Sequence, residues 1–175
     1  MYNPYNSCLS EGSALPDEEE LRLLTGRQEY IFKEDTNMIE IIAGLKGHGK
    51  TKILIQKVND DIKLTKGTIV YLDKNNKHMY ELSNQIRLIV VPEFNIENTD
   101  MFIGFIAGIL SQDHDLDKVY LDSFLTTACI DGNLDYAVGK LNVLSEKYDV
   151  DFVISASAEK DDMPESVQQY VTVSL

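Results

Sequence analysis

From Met38 onward, short apolar runs alternate with longer stretches in which apolar residues recur every three or four positions. The short runs predict strands: Ile39 to Ala43, Thr68 to Asp73, Ile86 to Val91 before Pro92, Lys118 to Leu121 running into Asp122, Asp151 to Ala156, and Tyr170 to Ser174. The longer stretches predict helices. Ile53, Leu54, Ile55, Val58 and Ile62 share one face of a helix expected to end near Lys66-Gly67. Asp100 to Gln112 is so apolar that it predicts a helix buried on most sides, capped by Asn98 or Thr99 and packed closely through Gly104 and Gly108. A third helix is expected over about Asn133 to Lys147. Strands alternating with crossover-sized helical segments predict a mainly parallel sheet between helix layers, a three-layer α/β/α domain.

Residues 1–37 break this rhythm. They hold two of the four prolines, a Ser/Asn/Gly-rich start and the acidic run Asp17 to Glu20, which predicts at most a short helix from Pro16 through Leu24. Lys33-Glu34-Asp35 can be encoded AAG-GAG-GAT, a ribosome-binding sequence placed shortly before the Met38 codon. The expectation is therefore a poorly structured acidic leader over 1–37, outside the native start at Met38, and one domain over 38–175. The competing expectation is a genuine flexible arm.

Composition narrows the setting. The chain has 175 residues, 43% hydrophobic and 26% charged, enough for one core. Its longest apolar run, Met101 to Leu110, is about half of what a bilayer requires, and the N-terminus lacks a secretory pattern. Cys8 and Cys129 have no C-x-x-C partner or histidine cluster, so a reducing cytoplasm is the expected compartment. A net charge of −13 argues against general nucleic-acid binding. The charge is uneven: residues 38–90 carry nine Lys/Arg against five Asp/Glu, and residues 91–175 carry four against sixteen. The basic half contains the motif that follows.

Gly44-Leu45-Lys46-Gly47-His48-Gly49-Lys50-Thr51 is a complete G-x-x-x-x-G-K-[ST] loop between a predicted strand and a predicted helix. Glycines let the backbone turn its N–H groups onto a phosphate chain, and the helix N-terminus adds partial positive charge. These eight residues are the expected nucleotide-binding residues. Lys50 would meet the β/γ-phosphates, and Thr51 would ligate Mg²⁺. The fold expected is that of the P-loop NTPases. Val119-Tyr120-Leu121-Asp122 reads as the second motif of that class, with Asp122 as the acid on the metal's hydration shell opposite Thr51.

The residue after Asp122 is Ser123, where many hydrolysing members place a glutamate. Asp73, ending the second strand, could substitute, because RecA-like ATPases carry a water-activating acid near that position, or could be a turn aspartate before Lys74-Asn75-Asn76; a RecA-like (ASCE) arrangement is the one favoured. The catalytic residues expected are thus Lys50, Asp73 and Asp122, with Thr51 and Asp122 at the metal. Ser155 and Ser157 could contact a γ-phosphate or satisfy local backbone groups. His78 and Asp113-His114-Asp115 read as solvated loops.

The core resembles a family of short P-loop proteins of clostridia and related Firmicutes labelled ATP-binding or "twitching motility protein PilT". The resemblance spans nearly all of 38–175 and is carried by MIEIIAGLKGHGKTKIL, TIVYLDKNNKHMYEL, MFIGFIAGILSQDHDLDKVYLDSFL and EKYDVDFVISAS. It implies nucleotide binding by Gly44–Thr51 and a start at Met38. Pilus-retraction motors share only the phosphate loop with this chain, so the resemblance does not extend to motor activity. The function expected is binding and slow Mg²⁺-dependent hydrolysis of ATP. GTP is the other candidate nucleotide, although the guanine-reading Asn/Thr-Lys-x-Asp is absent. The alternatives are a nucleotide-dependent regulatory or scaffold module without turnover, acting on an unknown protein partner, and a small-molecule or nucleoside kinase. Oligomeric state is not legible.

Overall fold

The structure, a computed structural model, describes residues 38–175. The expected leader, its short helix and Cys8 lie outside the described residues. Six strands form one sheet: β1 (Ile39–Ala43), β2 (Thr68–Asp73), β3 (Arg87–Val90), β4 (Leu116–Leu121), β5 (Asp151–Ala156) and β6 (Val171–Ser174). Every neighbouring pair is parallel, in the order β3-β2-β4-β5-β1-β6. The helices are α1 (Lys50–Asp61), α2 (Thr99–Gln112), the one-turn α3 (Phe124–Thr127), α4 (Leu134–Tyr148) and the one-turn α5 (Glu165–Gln168).

Strand alternation sorts the core onto two faces. Ile39, Ile41, Val70, Leu72, Val119, Leu121, Phe152 and Ile154 pack with Phe102 and Ile106 of α2 and Ala137 and Leu141 of α4. Ile42, Ile69, Tyr71, Tyr120 and Val153 face the other way, onto Leu54, Ile55 and Val58 of α1. The layers follow from crossover handedness. The chain steps outward from β1 to β2 through α1 and returns from β3 to β4 to β5 through α2 and α4, so one hand of connection puts the two sets on opposite faces.

Two helix expectations need correction. Helix α1 ends at Asp61, about five residues early: Lys63 and Leu64 close tight turns onto Asp60 and Asp61, and Leu64 is 83% exposed, so nothing apolar holds a further turn. Helix α2 is capped by the Asn98 side chain, which accepts from Met101 N at 2.9 Å. It is not buried on most sides, however. Gly104 and Gly108 are exposed, and a Cβ on either would meet nothing within 4 Å, so neither serves close packing. Pro92 also does more than stop a strand, since β3 gives way at Val91 to a 3-10 turn through Phe94.

Residues 74–86 lie over the outer edge of α1, where the Asn59 side chain donates to Glu81 O (2.7 Å) and accepts from Ser83 N (2.8 Å). No helix among the described residues is long and apolar enough to cross a membrane.

Candidate phosphate-binding site

Parallel strands end at one edge of a sheet, so side chains at their carboxyl ends converge. Leu72 pairs with Leu121 and Leu121 with Ile154; the next residues, Asp73, Asp122 and Ser155, therefore stand side by side. By alternation all three belong to the α1 face. The loop after β1 closes the row, because Ile42 pairs with Ser155 and Ala43 with Ala156.

That loop is built on left-handed and extended turns. Gly47 and Gly49 have φ of 93° and 85°, which a side chain would resist, and Gly49 precedes the first turn of α1. Gly44 is held by Ala158 O on its N–H (2.9 Å), and a Cβ there would stand 2.9 Å from Leu175 O. His48 Nδ1 lies 3.2 Å from that same carbonyl, and Leu175 N donates to Ala43 O. His48 thus meets the C-terminal strand rather than the cavity. Lys50 is 7% exposed and bends back over the loop, donating 2.7 Å bonds to Gly44 O and Leu45 O. Burial pushes its ammonium below the ordinary lysine range, against the pull of Asp122 and with help from Lys74.

Thr51 and Asp122 meet directly. The Thr51 hydroxyl stands 2.9 and 3.2 Å from the two Asp122 carboxylate oxygens. Asp122 is 2% exposed and held from behind: Ser123 N donates to Oδ1 at 2.7 Å, and the Ser155 hydroxyl donates to the same oxygen at 2.5 Å. Ser155 Oγ in turn accepts from Ser123 N at 2.9 Å. Ser123 reaches both only because it adopts a left-handed φ of 53°. Ser155 thus bonds both Asp122 and the Ser123 backbone while also lining the cavity. Ser157 is exposed and lines the cavity.

Asp73 is the less accessible acid. It is 1% exposed and outside the cavity wall; Oδ1 accepts from Lys74 N at 2.6 Å, while Oδ2 is buried without a hydrogen bond. Burial, then repulsion from Asp122, pushes its carboxyl above the ordinary range. Tyr71, two residues earlier on the same face, is fully buried near both acids, and its hydroxyl also lacks a hydrogen bond of good geometry. Sequence reasoning passed over Tyr71, although the alternation that aims Asp73 at α1 aims Tyr71 there too.

These groups enclose a cavity of about 460 Å³, lined by Gly47, Gly49, Lys50, Thr51, Asp122 and Ser155 on one side and by Lys74, His78 and Glu81 from the loop after β2. His78 is committed to Glu81 at 2.8 Å. Lys52 and Glu81 were not singled out in the sequence; with Lys46 they complete a mostly cationic rim. Asp113 instead anchors its own loop, accepting from Thr68 Oγ1 and Asp115 N. No three acidic, histidine or cysteine side chains gather as a metal cage among the described residues. A Mg²⁺ that keeps waters and phosphate oxygens in its shell needs only one or two hard oxygen donors, and the Thr51–Asp122 pair supplies that chemistry.

One strand, β5, lies between the loop strand β1 and the acid strand β4, the RecA-like order expected from the sequence. The fold is that of the P-loop NTPases. The chain matches no family model and no curated protein. Among solved structures it is similar to the flagellar accessory protein FlaH from Methanocaldococcus jannaschii, with a TM-score of 0.50 at 12% identity over 75% of this chain and 65% of that one. It is also similar to C. elegans PCH-2, with a TM-score of 0.43 at 12% identity over 79% of this chain and 35% of that one. The chain thus spans less than two thirds of either neighbour.

Proposed function

We propose that this protein binds a Mg²⁺-nucleoside triphosphate, ATP before GTP, at the Gly44–Thr51 loop and hydrolyses it slowly. The observation that carries the reading is the meeting of Thr51 and Asp122, 71 residues apart in sequence, at the mouth of a cavity walled by the phosphate loop. The loop N–H groups and the α1 N-terminus bind phosphate, and Lys50 exchanges its bonds to Gly44 O and Leu45 O for phosphate oxygens. Thr51 and Asp122 would hold Mg²⁺, which when bound neutralises phosphate charge. Ser155 and Ser123 N keep the Asp122 carboxylate turned toward that position. Asp73, beside Asp122 at the strand ends and with a raised proton affinity, would be the acceptor for the proton of the attacking water.

A second reading is favoured by Ser123 in the place of an acid and by the burial of Asp73: a nucleotide-dependent regulatory module that binds without useful turnover. Calorimetric titration of the full chain with Mg-ATP and Mg-GTP tests both. Wild-type binding that is lost in Lys50→Ala supports the site; no binding by folded wild type sinks it. Phosphate release on further incubation, lost in Asp73→Asn, selects the hydrolytic reading.

A further inference from the structure

The residues already described hold the phosphates and the metal from the loop side, with Lys50 reaching the β/γ-phosphates, but supply no cation to the outermost phosphate from the opposite wall. Ser155 cannot serve, because its hydroxyl hydrogen is on Asp122 and its oxygen accepts from Ser123 N. Lys50 approaches from the loop side, where its ammonium bonds Gly44 O and Leu45 O until phosphate replaces them. The usual guanidinium is missing as well: among the described residues the only arginine is Arg87, which begins β3 at the far end of the sheet from the cavity.

Lys74 is the group that remains. It is the first residue after β2, and its backbone is fixed by the 2.6 Å bond to Asp73 Oδ1. Its side chain lines the phosphate cavity from the side opposite the loop. It also lines a second cavity of about 210 Å³ with Val91, Asn95 and Thr127 across the sheet edge, so the stem stands on a rim with room on both sides. Among the described residues it has no ion-pair partner, whereas His78 on the same wall is taken by Glu81. Its ammonium is close enough to Lys50 for the two to repel. An anion lodged between two such cations relieves that repulsion and gains from each. Direction agrees with this. The loop encloses the inner phosphates, and Thr51 with Asp122 lies on the β4 side, so the free end of the chain points past Asp122 toward β2, where Lys74 stands. Lys46 and Lys52 sit on the loop and the outer face of α1, on the wrong side for it.

We propose that Lys74 forms the terminal-phosphate subsite of this cavity, reading the presence of a γ-phosphate in cis from the end of β2. The assignment rests on the nucleotide reading above, and it makes Lys74 the residue that separates triphosphate from diphosphate. The test is calorimetric titration of the full chain with Mg-ADP and with the slowly hydrolysed Mg-ATPγS. It compares wild type, Lys74→Ala, Lys74→Arg and, as a control on the same loop, Lys77→Ala. Lys74 is exposed, so the variants keep the fold. The result expected is a loss of ~10-fold or more in ATPγS affinity for Lys74→Ala, with ADP affinity within about twofold of wild type. Lys74→Arg restores most of it, and Lys77→Ala changes neither ligand. Equal weakening of both nucleotides, or of neither, overturns the assignment while leaving the nucleotide site standing. Failure of wild type to bind either nucleotide overturns the site and the subsite together.

Discussion

Ser155 decides where the Asp122 carboxylate points. Its 2.5 Å bond and that of Ser123 N both fall on Oδ1, which leaves Oδ2 to Thr51 at 2.9 Å. Ser155→Ala removes a hydrogen bond to a buried charge, and the expected cost is about 2 kcal/mol in urea unfolding. Its functional signature is a higher Mg²⁺ requirement for nucleotide binding, read by titrating Mg²⁺ at fixed ADP; an unchanged requirement would reduce Ser155 to packing. Asp73 should behave oppositely. Burial and Asp122 raise its carboxyl in the fold, so the folded state holds that proton to higher pH than the unfolded chain does. Stability is therefore present at low pH and lost as pH rises from the unfolded value through the raised folded one. Asp73→Asn escapes that loss, so at neutral pH it should be more stable than wild type in urea unfolding, a gap that closes as pH falls below the ordinary carboxylate range. The sequence placed Lys50, Thr51 and Asp122 because each belongs to a motif with fixed spacing. It could not choose a role for Ser155, because a serine's partner 33 residues away depends on strand order.

At the scale of elements, the joints between α1 and the sheet carry the site. Asp61, the last residue of α1, accepts from Lys118 Nζ at 2.8 Å and from the buried Tyr120 hydroxyl at 2.6 Å, tying the helix to β4. Burial opposes the Asp61 charge, yet these two bonds and the Lys118 charge prevail, and its carboxyl lies below the ordinary range. The stability it confers is present above the unfolded value and lost as pH falls through the folded one. Asp61→Ala strands the Tyr120 hydroxyl, and a loss of about 2–3 kcal/mol is expected; Tyr120→Phe in the same background should recover part of it, as a double-mutant cycle would show. Six residues on, Gly67 is fixed by contact rather than by φ. A Cβ there would collide with Asp115 O and the Asp117 side chain, which also bonds Gly67 N and Thr65. The strand spans were legible because buried parallel strands are continuous apolar runs; β1, β2 and β5 have the expected bounds. The helices were legible in place but not in surroundings. The apolar content of α2 suggested burial all round, whereas one of its faces, with Met101, Gly104 and Gly108, is open.

For the whole molecule, the consequence of sheet order is that the site belongs to no single segment. Strands β1, β5, β4 and β2 each contribute one end, from residues 43 to 157, and their register brings those ends into one row. A ligand spanning that row binds only when the strands are paired, so it binds the folded state and not the unfolded chain. Linkage then turns occupancy into stability: at a hundred times the dissociation constant the folded state gains about 2.7 kcal/mol. For a domain of this size that corresponds to a rise in melting temperature of roughly 5–10 °C. We expect that rise for the full chain with saturating Mg-ATP in a calorimetric scan, a smaller one when EDTA removes the metal, and none for Lys50→Ala. Lys50 Nζ already bonds Gly44 O and Leu45 O, so its removal also loosens the loop, and the variant should start slightly lower. The decisive quantity is the shift within each protein, not the starting point. A shift in Lys50→Ala equal to that of wild type would mean that the nucleotide stabilises the molecule from somewhere other than this row.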